Sequence, residues 1–233
     1  SGSSRGLGDV YKRQKIGCAS TKTIYGERLD TVLIELNPEA KISGLFTSNK
    51  FKSSPVQICL KQLKKKMKGK KMLAINAGNA NAATGKKGVS DAKKLIREIS
   101  SLTDILTTQI LPFSTGVVGQ LLDVKSLSAA FSKCFTNLNK NSWEDFAKAI
   151  MTTDTKSKIV KLSLQVGSKK YHIVGIAKGV GMIEPNMATT LSYIFTDLKI
   201  PELTLRKLHK KICDKTFNAI SIAVSYTHLT LPT

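Results

Sequence analysis

"AKGVGMIEPNMATTLSYIFTD", Ala177 to Asp197, runs from a glycine-flanked turn (Gly179, Gly181) through Pro185 to Met187-Ala188-Thr189-Thr190, and then directly into a hydrophobic strand. A small residue followed by threonine at the mouth of a buried strand suits a self-cleaving N-terminal nucleophile. The Thr189 hydroxyl attacks the Ala188 carbonyl, the ester hydrolyses, and Thr189 becomes a new N-terminus. An α-amine has an intrinsic pKa of about 8, against about 10.4 for lysine, so it can take the proton of its own hydroxyl near neutral pH. Ala-Thr before a strand is common in proteins whose threonine merely starts the strand, so the pair gains its weight from the surrounding chain.

Outward from that stretch, strands and helices alternate. "DTVLIEL" (Asp30–Leu36) is β-branched and apolar and stops at Asn37-Pro38, a strand with a turn after it. Ile42–Asn49 is expected to return as a second strand. Lys71 to Ile75 reads as a buried strand that opens into a loop of Asn, Ala and Gly through Gly85. Ala92, Leu95, Ile96, Ile99 and Leu102 keep helical spacing, with Ser90-Asp91 as the expected cap. "QILPFSTGVVGQ" reads as a strand ending in a glycine turn. Leu127 to Leu138 and Trp143 to Met151 form two more helical patterns, the second opened by Ser142 and Asp145 in the manner of a capping box.

A hairpin follows. Val160, Leu162, Leu164 and Val166 alternate with polar residues, Gly167-Ser168 turns, and Tyr171–Lys178 returns. Leu191 to Ile200 is a strand, and Pro201 to Phe217 an amphipathic helix with proline near its first turn. Hairpins mixed with helical crossovers imply a layered α/β or α+β architecture.

With 233 residues, 41% of them hydrophobic, the chain can bury one sizeable core or two modest ones. No apolar run approaches the ~20 residues of a membrane helix, and no charged-then-apolar leader opens the sequence, which points to a soluble, cytoplasmic protein. Cys18, Cys59, Cys134 and Cys213 are scattered, with no CxxC pair, as expected in a reducing compartment. His172, His209 and His228 lack metal-ligand spacing, so no metal is expected. The net charge of +21 admits a polyanionic partner. Lysines outnumber arginines 32 to five, however, and the densest run, Lys61–Lys71, has no interleaved aromatic residues. A solvated lysine surface, with no specific nucleic acid, is the better reading.

Residues 1–14 ("SGSSRGLGDVYKRQ") and 223–233 ("AVSYTHLTLPT") show neither amphipathic period nor capping logic and look like foreign tails. The domain is expected over 15–222, the chain being interrupted near Ile222.

The segment "KGVGMIEPNMAT" resembles the cleavage-site signature of the ornithine acetyltransferases of arginine biosynthesis. "SGLFTSNKFKSSPV" (Ser43–Val56), "NAGNANAATG" (Asn76–Gly85), "STGVVG" (Ser114–Gly119) and "MTTDT" (Met151–Thr155) resemble that family in the same order. The resemblance covers roughly residues 15–222. It implies an αββα-type sandwich of the autoprocessing acetyltransferase and aminopeptidase kind, cut into an α chain ending at Ala188 and a β chain beginning at Thr189. It implies acetyl transfer from N-acetylornithine to glutamate through an acetyl ester on Thr189, without a cofactor; some members also accept acetyl-CoA. By the same resemblance Thr115 (hydroxyl) and Gly116 (backbone N–H) form an oxyanion hole, and Thr152, Lys178 and Thr189 bind substrate. Two α and two β chains associate as a heterotetramer.

Three positions depart from the family pattern: Thr190 stands where methionine is usual, Ala83 where cysteine is frequent, and Val180 where a smaller residue is. Thr190 sets a second hydroxyl beside the first, and the motif's register favours Thr189. The family's long second half is missing, so the chain as given is expected to be feebly active at best. A self-cleaving aminopeptidase-type hydrolase would share the nucleophile, and a non-enzymatic polyanion binder would share the charge. The Asn76, Asn79 and Asn81 amides either line the site or only shape a turn around Gly78 and Gly85. Within Thr152-Thr153-Asp154-Thr155 any of the hydroxyls can face the pocket, whereas Asp154 reads as a local cap or turn acceptor.

Overall fold

The computed structural model describes residues 14–139, 142–180 and 190–220. Four strands form the first sheet: β1 (Gln14–Ala19), β2 (Thr31–Leu36), β3 (Lys71–Asn79) and β4 (Ile110–Val117), lying side by side in that order. The first two pairings are antiparallel and β3–β4 is parallel. Three antiparallel strands form the second sheet: β5 (Lys158–Val166), β6 (Lys169–Lys178) and β7 (Leu191–Thr196). The helices are α1 (Ser54–Leu63), α2 (Gly85–Thr103), α3 (Val124–Thr136), α4 (Trp143–Ala149) and α5 (Glu202–Lys215).

The first sheet is apolar on both faces, which is why its strands read as nearly continuous hydrophobic runs. Alternation sorts the side chains. Val32, Ile34, Leu73 and Ile75 join Val174, Ile176, Tyr193 and Phe195 of the second sheet in one core, with Trp143 and Phe146 of α4 packed between. The rings of Phe146 and Tyr193 lie 5.2 Å apart, and those of Trp143 and Phe195 are edge-to-face at 5.1 Å. Leu33, Met72 and Ala74 point the other way, into a second core with Ala92, Leu95, Ile96 and Ile99 of α2 and Leu127, Ala130 and Phe131 of α3. A Cβ on Gly17 would fall 1.8 Å from the carbonyl oxygen of Cys134, so glycine is what lets α3 rest directly on β1.

The layers therefore run helices, sheet, sheet. On the far face of the second sheet Val160, Leu162, Leu164 and Val166 of β5 and Ile194 of β7 are exposed, and α5 keeps Leu203, Leu208 and Ile212 exposed while burying Cys213. No helix of the described residues is long and apolar enough to cross a membrane.

Several elements differ from the sequence reading. Ile42–Asn49 is not a strand. Its sequence neighbour β2 already has β1 and β3 on its two sides, so the segment has no edge to join there and instead lays Ile42 and Phe46 on the first core. The strand expected to stop at Ile75 continues to Asn79, because β4 pairs alongside it as far as Val117. Helix α2 begins at Gly85, not at Ser90-Asp91, since Asn81 and Thr84 organise its first turn: Thr84 Oγ1 donates to Asn81 Oδ1, and Asn81 Nδ2 donates to the Gly88 carbonyl. Ser142 flanks α4 but makes no side-chain cap; its hydroxyl donates to Asn139 Oδ1. Strand β1 and helix α1 were not anticipated, although Pro55 in the first turn of α1 was a legible start signal. Gln14, counted with the leading tail, pairs with Leu36 as the first residue of β1.

Candidate active site

Strands β3 and β4 run parallel, and their C-terminal ends stand side by side with Gly78 opposite Gly116. Gly116 has φ +128 and Gly78 φ +102, conformations that L side chains rarely adopt. A Cβ on Gly116 would lie 2.3 Å from the Gly78 carbonyl carbon, so the two strand ends approach more closely than any side chain there permits. The asparagine run braces this approach. Ser114 Oγ donates to Asn76 Oδ1 at 2.6 Å, Asn76 Nδ2 donates to the Asn79 carbonyl, and Asn79 Nδ2 donates to the carbonyls of Gln120 and Leu121. These bonds favour the shaping role for the asparagines: a buried polar group must be paired, and these amides are paired with their own loop and with the strand and turn beside it.

Thr115 sits between the two glycine-bearing ends, buried, and its Oγ1 accepts a hydrogen bond of 3.0 Å from Nζ of Lys178. That contact joins the first sheet to the end of β6 in the second, across 63 residues of sequence. Lys178 is 6% exposed. Burial pulls its ammonium below the ordinary lysine range; the Asp154 carboxylate opposes that, and Lys158 adds to it.

Asp154, whose charge acts on this lysine, has a fully buried side chain. It accepts from Lys158 Nζ at 2.5 Å, from the Gly179 backbone N–H at 2.9 Å and from the Thr152 N–H at 3.4 Å. Burial raises its pKa, but these hydrogen bonds together outweigh burial and hold the carboxyl below its ordinary value. On the other side of the same turn, Arg28 Nη2 donates to the Met151 carbonyl at 2.7 Å, with the guanidinium stacked 3.7 Å over the Tyr25 ring. Tyr25 and Ile24 in turn flank Gly78.

Of the residues singled out from sequence, Thr115, Gly116 and Lys178 come together, and Thr152 joins them through Asp154. Ala188 and Thr189 lie outside the described residues. The chain re-enters the described structure at Thr190, whose Oγ1 donates to the Lys178 carbonyl at 2.6 Å. His172, set aside as a base, is buried and paired with Asp197 at 3.1 Å. Sequence reasoning missed Arg28 and Tyr25, which carry no motif. Among the described residues, no three His, Cys, Asp or Glu side chains gather as a metal site.

The chain matches the ArgJ family over residues 15–226. It is 39% identical over 217 residues to the arginine biosynthesis bifunctional protein ArgJ of Colwellia psychrerythraea, covering 89% of this chain and 51% of that protein. To the protein of the same name from Methylococcus capsulatus it is 35% identical over 208 residues, covering 89% and 50%. The chain thus spans about half the length of these curated relatives. Among solved structures, the arginine biosynthesis bifunctional protein ArgJ of Bacillus halodurans superposes with a TM-score of 0.67 at 28% identity, over 78% of this chain and 95% of that one. An ornithine acetyltransferase of Mycobacterium tuberculosis, solved with ornithine, shares the fold with a TM-score of 0.64 at 23% identity, over 77% and 95%. With residues 15–226 of its 233 matched to the family, this chain belongs to the ArgJ family.

Proposed function

We propose that the full-length protein carrying this chain transfers an acetyl group from N-acetylornithine to glutamate through an ester on Thr189, after cutting itself between Ala188 and Thr189. The observation that carries the reading is the Lys178–Thr115 contact. It supports the reading by joining Thr115 of the STGVVG segment to Lys178, the first residue of the KGVGMIEPNMAT segment, in buried surroundings although the two are far apart in sequence.

In maturation the Thr189 hydroxyl attacks the Ala188 carbonyl, its oxygen replacing the amide nitrogen. Water then hydrolyses the ester, leaving a carboxylate on Ala188 and an amine on Thr189. In transfer that amine takes the hydroxyl proton as the oxygen attacks the acetyl carbonyl. Charge on the former carbonyl oxygen is met by the Thr115 hydroxyl and the Gly116 N–H; one such donor is typically worth about 10²–10³ in rate. Because Thr115 Oγ1 accepts from Lys178, its own proton can be directed at the oxyanion, and the lysine's charge strengthens it as a donor. The tetrahedral species collapses, ornithine leaves with the proton, and the glutamate amine repeats the sequence in reverse.

Lys178 carries three donors, so it can hold Thr115 and meet a substrate carboxylate at once. Thr152 belongs to the same substrate wall. The engagement of the Thr190 hydroxyl with the Lys178 carbonyl favours Thr189 as the nucleophile. Coverage is consistent with cleavage: the crystallised Bacillus halodurans chain is matched over 95% of its length, whereas the curated relatives are matched over about half. Acetyl-CoA as a second donor would reach the same ester, and no cofactor enters these steps. Two α and two β chains in a cytoplasmic heterotetramer complete the proposal.

Intact-mass analysis of the full-length protein tests it. Two pieces meeting at Ala188/Thr189 are expected, with acetyl transfer to glutamate exceeding release to water. Thr189→Ala abolishes both scission and transfer. An uncut, fully active protein refutes the mechanism, and acetyl release to water alone makes the protein a hydrolase.

A further inference from the structure

The Asp154 carboxylate is fully enclosed, and a buried charge persists only where it is paired and hydrogen-bonded. One of its bonds, from the Thr152 N–H two residues away, is an ordinary local turn. The bond from Gly179 is of another kind: it crosses 25 residues to reach the backbone just beyond Lys178, where β6 ends and φ turns to +130. The third, from Lys158, comes from the first residue of β5. Asp154 therefore ties together the threonine turn, the start of β5 and the end of β6. Among the described residues, the charged groups that act on Lys178 are Asp154, which attracts its ammonium, and Lys158, which repels it.

We propose that Asp154 is a positioning residue of this site, keeping Lys178 charged in its buried place and pinning Gly179 so that the ammonium stays aimed at Thr115. This assignment rests on the acetyl-transfer reading for its catalytic consequence, but not for the coupling between the two side chains.

Asp154→Asn keeps the size and an oxygen that can accept from Gly179, removes the charge, and replaces the oxygen that accepts from the Thr152 N–H by an amide nitrogen. Lys178 then faces the repulsion of Lys158 without compensation and loses its proton at lower pH. In the full-length protein kcat/KM is expected to fall on the order of 10–100-fold, the scale of a misaligned catalytic group. The alkaline limb of its pH profile moves to lower pH, and Asp154→Glu recovers part of the loss. A purely structural residue would lower the rate equally at every pH.

The coupling is read independently by lysine ε-carbon NMR titration, with the Lys178 signal assigned by its loss in Lys178→Met. The midpoint moves down in Asp154→Asn and up in Lys158→Met, the latter at a half-exposed side chain whose loss also unpairs Asp154. An unchanged Lys178 midpoint in either folded variant overturns the proposal, whatever the activity. A full-length protein with no acetyl transfer at all, but with both midpoints displaced, would remove the functional reading and leave the coupling standing.

Discussion

Gly116→Ala separates the two constraints that meet at the strand ends. At φ +128 an alanine carries backbone strain of about 1–3 kcal/mol. Its methyl would also stand 2.3 Å from the Gly78 carbonyl carbon, 2.5 Å from that oxygen and 2.6 Å from the Asn79 nitrogen. All three are backbone atoms, which cannot swing aside as a side chain does. Relief requires β3 and β4 to part by about an ångström, an overpacking cost of about 1–3 kcal/mol. The sum, roughly 2–6 kcal/mol, is a large part of the 5–15 kcal/mol typical of a domain.

Gly26→Ala is the control. Its φ is +61, and an added Cβ would meet nothing within 4 Å, so only the conformational cost of about 1–2 kcal/mol remains. Urea unfolding followed by the fluorescence of Trp143, the sole tryptophan and a member of the first core, measures both variants. Equal costs would refute the claim that the Gly78–Gly116 approach is sterically closed. In the full-length protein Gly116→Ala should also abolish acetyl transfer by displacing Thr115 from Lys178.

Phe146→Ala, at a side chain with no exposed surface between the sheets, should cost about 3–5 kcal/mol, while Leu162→Ala on the open face of β5 should stay within about 0.5 kcal/mol; similar values for the two would contradict the assignment of the core. Leu162→Lys together with Leu164→Lys should reduce binding of a hydrophobic dye without lowering the unfolding midpoint. Burial pushes the thiols of Cys18 and Cys59 up, and that of Cys134 up to about 12, so a thiol reagent should label these three only after denaturant is added; labelling at the rate of free cysteine would show that the cores open. Asp154 has its carboxyl held below the ordinary value, so its contribution to stability is complete above about pH 4 and disappears as pH falls through the depressed native value. Asp154→Asn should accordingly flatten the acid limb of the curve of unfolding midpoint against pH.

Alternating strands announced themselves locally, whether their apolar face meets a core or, as on β5, lies open. Thr31–Leu36 and the Lys158–Lys178 hairpin lie where alternation and turn residues put them, and the strand after Thr190 starts as expected at Leu191 but ends at Thr196 rather than Ile200. The helices at Leu127 and Trp143 likewise followed from spacing alone. Ile42–Asn49 has equally good strand composition and failed, because composition does not reveal whether a sheet edge is free. Helix α1 passed unnoticed because its buried face is short, only Ser54, Pro55, Ile58 and Cys59, and merges into the lysine run. In that run Lys71 is nearly buried and caps the carbonyls of Pro38 and Gly69, unlike its solvated neighbours, a distinction that charge counting cannot make.

The ordered motifs, written in the sequence by themselves, determined the family and named Thr115, Gly116 and Lys178 as residues to watch. Glycines at strand ends and a lysine beside a glycine turn are features of local chemistry, and local chemistry is what a linear reading sees. Only the tertiary structure decided that Lys178 reaches Thr115, that Asp154 spans 25 residues to hold Gly179, and that the asparagine amides are spent on backbone carbonyls, those of Gln120 and Leu121 among them. Hydrogen bonds between residues far apart in sequence depend on how two sheets pack, and packing is set by the summed burial of many side chains rather than by any one segment.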